Sequence, residues 1–203
     1  AFGFSLKKVR ISFSVRSQMK ENIFIFHGTA GSPEGNWFPW LKEKLNEKDC
    51  NVIVPRFPTP EGQSLESWME ILNQYKELIN KDTIFVGHSL GGMFLLKVLE
   101  QLKDPVHAAF FVSAPVGVRP IKYYDSDYAF THFQFNWPSI INKSKNFTVY
   151  HSDNDPYVSL GNGEGLAKEL GVSLTFIPNA GHINAESGWT KFEKLLEDIE
   201  KIL

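Results

Sequence analysis

Cys50 is the only cysteine in this chain of 203 residues. Internal disulfides and zinc sites built from several cysteines are thereby excluded, and a reducing cytoplasm is the expected location. Long hydrophobic runs are missing too: nothing approaches the ~20 apolar residues that cross a bilayer. Basic excess is absent, since 21 Lys and Arg face 23 Asp and Glu for a net charge of −2. No field is left to hold nucleic acid or an acidic membrane surface. There is no phosphate-binding P-loop and no HExxH zinc motif. "GNGEG" at 161–165 lacks the spacing and strand context of a dinucleotide loop and reads as a turn. No cofactor or metal is expected.

What the chain does have is alternation. Its composition, 42% hydrophobic and 22% charged, suits one globular domain with a full core. Short apolar runs bounded by turn residues read as buried strands at Ile23–His27, Asn51–Val54, Thr83–Gly87, His107–Ser113, Asn146–His151 and Ser173–Ile177. Between them lie stretches of helical period: Trp37–Lys48, Leu65–Asn80 behind a Ser64 cap, Leu90–Leu102, Gly165–Leu170 and Trp189–Leu203. This pattern predicts an α/β fold, a mostly parallel sheet of about six strands with helices on both faces in three layers. Ligands of such sheets bind beyond the strands' carboxyl ends.

Two segments stand apart from the alternation. Residues 1–18 carry four basic residues and no acid, with Val9, Ile11, Phe13 and Val15 at period two. They read as an edge strand, a targeting segment or upstream sequence, the last being favoured because Met19 precedes a natural start; residues 19–203 form the domain. Within it, 117–145 is an insertion, with seven aromatics between Tyr123 and Trp137. It reads either as a loop packed on the core or as a lid with an apolar inner face. In the second case Tyr124, Tyr128 and Phe133 line a substrate pocket.

"TIFVGHSLGG", Thr83–Gly92, places a Ser between glycines where a strand turns into a helix. Ser89 is then either a helix cap or a hydroxyl held out as a nucleophile, and the strand–turn–helix context favours the nucleophile. Such a hydroxyl needs a base and an orienting acid. "YHSDNDPYV" follows the fifth strand and "PNAGHIN" the sixth, both at strand carboxyl ends. They offer His182 as base and Asp155 as acid, with Asp153 in reserve. For the oxyanion, the Leu90 amide opens a helix and a second amide comes from "FHGTAGS", Thr29 before Ala30. His27 and His88 then serve as scaffold or pocket wall.

From Met19 to Leu203 the chain resembles the small α/β-hydrolase family of retinoblastoma-binding-protein-type serine hydrolases and their bacterial relatives. "HGTAGSPEGNWFPWL", "GHSLGG", "SDNDPYV" and "AGHIN" carry the resemblance, in that order. Asn36-Trp37 and Trp40-Leu41 are its most family-specific part. It implies a compact hydrolase with nucleophile Ser89, acid Asp155 and base His182, while substrate does not carry over. The expectation is a monomeric esterase acting on a small-molecule ester through an acyl-enzyme. An acyltransferase, thioesterase or amidase with the same residues is an alternative, as is a protein-binding module that retains the fold.

Overall fold

The computed structural model describes residues 21–122, 125–131 and 134–203. The extension at 1–18, and Tyr124 and Phe133 of the expected pocket, lie outside them.

Strand β1 (Asn22–Phe26) is buried along its whole length, which is why it reads as an unbroken apolar run. Helix α1 (Phe38–Asn46) leads to β2 (Asn51–Ile53), and α2 (Leu65–Asn73) to β3 (Ile84–His88). Then follow α3 (Leu90–Gln101), β4 (Val106–Val112), α4 (Tyr128–Thr131), α5 (Trp137–Ile141), β5 (Ser144–His151), α6 (Leu160–Leu170), β6 (Leu174–Phe176) and α7 (Glu193–Glu200). Among the described residues, six strands lie in the order β2-β1-β3-β4-β5-β6, and every pairing between them is parallel.

Alternate strand side chains face opposite layers. Ile23, Ile25, Ile84 and Val86 pack with Trp37, Phe38 and Leu41 around α1 and with Leu195 and Ile199 of α7. Phe24, Phe26 and Phe85 pack instead with Trp68 of α2, Phe94 of α3, Ile140 of α5 and Leu166 of α6. The result is a three-layer α/β sandwich. Because the chain runs from β1 to β2 and then returns past β1 to β3, strand order reverses between β1 and β3. A crevice opens at the carboxyl ends of strands on either side of such a reversal.

Some element boundaries differ from the sequence expectation. Ser64 does cap α2, accepting from the Ser67 amide at 3.0 Å, but the helix stops at Asn73 rather than Asn80. A 3₁₀ turn, Lys76–Leu78, replaces its last part and presents the Leu78 carbonyl to Asn22 Nδ2 at 2.9 Å. The glycines at 161–165 lie inside α6 and are not a turn. There Asn162 spends its side chain on the loop after β4, accepting from the Val116 and Val118 amides, and Gly163 leaves room for the His151 ring. Helix α7 starts at Glu193 rather than Trp189, because the Trp189 amide closes a turn onto the Asn184 carbonyl at 2.9 Å.

Candidate active site

Beyond β3 the chain reverses at one residue. Ser89 has φ 54° and ψ −127°, a conformation that costs a residue with a side chain on the order of 1–3 kcal/mol unless its surroundings impose it. They do so here: the Ser89 amide donates to the Val112 carbonyl at 2.9 Å. Packing below is equally tight, since a Cβ on Gly91 would lie 2.3 Å from the Phe26 carbonyl oxygen. The hydroxyl makes no capping bond to α3, so of the two readings of Ser89 the cap is not the one observed.

Ser89 opens onto a cleft of about 260 Å³ lined also by Thr29, Leu90, Asn36, Asp127 and His182. The loop after β1 leans against it closely enough that a Cβ on Gly28 would stand 2.7 Å from Ser89 Cβ and 3.2 Å from the Leu90 amide nitrogen. Only glycine permits that approach. The Ala30 amide is engaged with Thr59 Oγ1 at 2.8 Å. Among the described residues the Thr29 and Leu90 amides have no acceptor.

The loops after β5 and β6 bring two further groups to the cleft. His182 Nδ1 donates to Asp155 Oδ2 at 2.7 Å, which leaves Nε2 as the ring's acceptor. The Asp155 carboxylate is fully buried, and its Oδ1 accepts from the Tyr157 and Val158 amides at 2.9 and 3.0 Å. Burial works to raise this carboxyl, but the His182 contact and the two amides outweigh it and hold it below the ordinary aspartate value. Asp153 is exposed and accepts from the Asn179 amide at 2.8 Å; it braces the turn before His182 and does not touch the ring. No hydrogen bond joins Ser89 Oγ to His182 among the described contacts.

The His182 loop is fastened from several sides. His88 Nε2 donates to the His182 carbonyl at 3.0 Å. Trp37 Nε1 donates to the Ile183 carbonyl at 3.0 Å, and Asn36 Oδ1 accepts from the Ala185 amide at 3.0 Å. Asn36 and Trp37 are therefore site residues that sequence reasoning named only as a resemblance. Asp127 was missed altogether. Buried beside the cleft, it accepts from Thr29 Oγ1 and from Gln63 Nε2, the latter at 2.9 Å, and ties the 117–145 segment to the loop after β1.

Two expected pocket residues sit elsewhere. His27 is fully buried beneath its loop, bonded to the Gly28 carbonyl at 2.9 Å and to the Phe57 amide at 3.1 Å, so it supports the cleft and does not wall it. Tyr128 is 68% exposed. The inward position of α4 is taken by Phe130, whose ring packs on Trp68 at 4.8 Å. His88 does line the cleft.

Burial lowers the pKa of His27, His88 and His151, that of His88 to about 3. Each folded value lies below the unfolded one of 6.5, so this stability is fully present above that pH and is lost as pH falls beneath it. For His88 alone, going from pH 7 to pH 5 should remove about 2 kcal/mol. Urea midpoints at the two pH values check this, and His88→Gln should flatten part of the difference. Equal midpoints would mean the rings protonate without penalty.

A larger groove, about 990 Å³, lies at the amino ends of β3, β4 and β5 between Lys76, Lys81, Lys103 and Lys145. None of the residues singled out from the sequence lines it. Among the described residues no group of three or more His, Cys, Asp or Glu could hold a metal ion. No described helix is long and apolar enough to cross a membrane.

YdeN of Bacillus subtilis (strain 168) is 29% identical over 175 residues, which span 85% of this chain and 90% of YdeN. The crystal structure of the ydeN gene product superposes with a TM-score of 0.80 at 26% identity, covering 90% of this chain and 98% of that one. Est1E of Butyrivibrio proteoclasticus, with ferulic acid bound, shares the fold at a TM-score of 0.65 and 17% identity, over 89% of this chain and 90% of that one. The family model described as serine hydrolase matches residues 23–201. With the reversed Ser89 turn and the His182–Asp155 pair at neighbouring strand ends, that match identifies the chain as a member of the serine hydrolase family.

Proposed function

We propose that this serine hydrolase cleaves small carboxylic esters, with Ser89 as nucleophile, His182 as general base and Asp155 as the orienting acid. The observation that carries the reading is the 2.7 Å contact between His182 Nδ1 and Asp155 Oδ2. It puts the ring proton on Nδ1 and leaves Nε2 free to take the Ser89 proton. As Ser89 Oγ bonds to the acyl carbon, the Leu90 and Thr29 amides meet the oxyanion. The C–O bond to the alcohol then breaks, and His182 returns the proton to the leaving alkoxide. Water repeats the sequence on the acyl-enzyme, releasing the acid and freeing Ser89. The Ser89–His182 hydrogen bond forms in the substrate complex, where such contacts tighten.

A cleft of about 260 Å³, bordered by Asn36 and Asp127, favours a short acyl group over a lipid tail. That Est1E holds a carboxylic acid supports ester chemistry on this fold. A fluorophosphonate should label the protein once, on the peptide containing Ser89. Rates on p-nitrophenyl esters should fall as the acyl chain lengthens. Labelling elsewhere defeats the nucleophile assignment, and an optimum at long chains defeats the substrate class.

A further inference from the structure

His88 and His151 are buried side chains that the proposed chemistry does not use. Each ends a strand beneath the cleft, His88 on β3 and His151 on β5. Each gives its ring N–H to a backbone carbonyl. His88 Nε2 donates to the carbonyl of His182 itself at 3.0 Å. His151 Nε2 donates to the Val158 carbonyl at 3.0 Å, and the amide of that same Val158 donates to Asp155 Oδ1 at 3.0 Å. The two rings thus bracket the His182–Asp155 pair from below, one through each partner's loop.

As core filler, His151 is a poor choice. Its Nδ1 is buried without a partner among the described residues, and an orphaned buried polar atom destabilises the fold. An apolar residue of the same size would avoid that penalty, so the gain has to come through Nε2. That nitrogen also lies 3.8 Å from Asp155 Oδ2. His88 packs edge-on against the contacting rings of Trp37 and Phe38 and lies 5.0 Å from the His182 ring. Among the described residues its one hydrogen bond goes to the carbonyl of His182, the residue whose orientation matters most.

We propose that His88 and His151 are positioning residues that fix the His182–Asp155 pair through the backbone of its two loops. The proposal rests on the Ser89–His182–Asp155 reading. Glutamine reproduces the Nε2 donor; methionine fills similar volume without it. His88→Met and His151→Met should each lower kcat on a short p-nitrophenyl ester by about 10- to 100-fold at little-changed KM, the scale of a small misplacement at a reacting centre. The Gln variants should recover most of the loss.

Folded Met variants with wild-type kcat, or Gln variants no better than Met, would overturn the proposal. Wild-type protein supplies a second measurement that does not depend on the Met variants folding. Long-range proton–nitrogen correlations of the imidazoles should show both rings as neutral Nε2–H tautomers at about pH 8. An Nδ1–H tautomer at either residue overturns the assignment. Ser89→Ala, run alongside, separates the two levels. An active Ser89→Ala sinks the catalytic reading beneath the proposal, whereas an inactive one with unaffected Met variants sinks the positioning role alone.

Discussion

Ser89→Ala is expected to lose about 10⁴-fold or more in kcat on a short ester, with its melting temperature unchanged. The loss follows from removing the only hydroxyl that the turn holds at the cleft opposite His182. Stability should survive, because the Ser89 side chain makes no capping bond and its departure orphans no partner. Alanine keeps the Cβ, so the turn at φ 54° carries the same strain as before. Ester turnover and thermal melting on one preparation decide the matter. A variant that turns over at the wild-type rate would falsify the nucleophile assignment.

Asp155→Asn should be nearly as damaging, lowering kcat by about 10³- to 10⁴-fold. The Tyr157 and Val158 amides both donate to Oδ1, so an asparagine there must keep its carbonyl oxygen toward them. Its NH₂ then faces His182 Nδ1, which has to become an acceptor. The ring proton moves to Nε2, the nitrogen that must be bare to receive the Ser89 proton. Asp153→Asn makes the contrast: its oxygen still accepts from the Asn179 amide, and kcat should stay within about threefold of wild type. Steady-state rates of the two variants test this, and the opposite ranking would move the acid to Asp153.

The strands and the three candidate catalytic side chains were legible for one reason. Ser89, Asp155 and His182 each follow a short apolar run, and in a parallel sheet the carboxyl ends of such runs share one edge. Asn36, Gln63 and Asp127 were not legible in that way. Their partners lie far off in sequence, as with Asn36 and Ala185, and no local pattern announces them. At Tyr128 the aromatic spacing of the inserted segment misled for a related reason. In α4, Phe130 fills the place against Trp68, and Tyr128 is left facing water. The glycines of α6 also misled: Gly163 makes room for the His151 ring on β5, while Gly161 and Gly165 face Val118 and Val116 of the loop after β4. Local propensity carries no record of such contacts.

The two outermost strands, β2 and β6, are only three residues each. Exposed sheet margins template pairing with other chains through their unpaired N–H and C=O groups, and the hazard grows with the length of straight margin on offer. Here the long apolar runs, Ile23–Phe26 and Ala108–Val112, are sheltered inside the sheet with a neighbour on either side, while each margin presents a stub too short for a second molecule to extend. Among the described strands, those richest in β-forming residues are thus the ones least able to seed aggregation once the chain has folded.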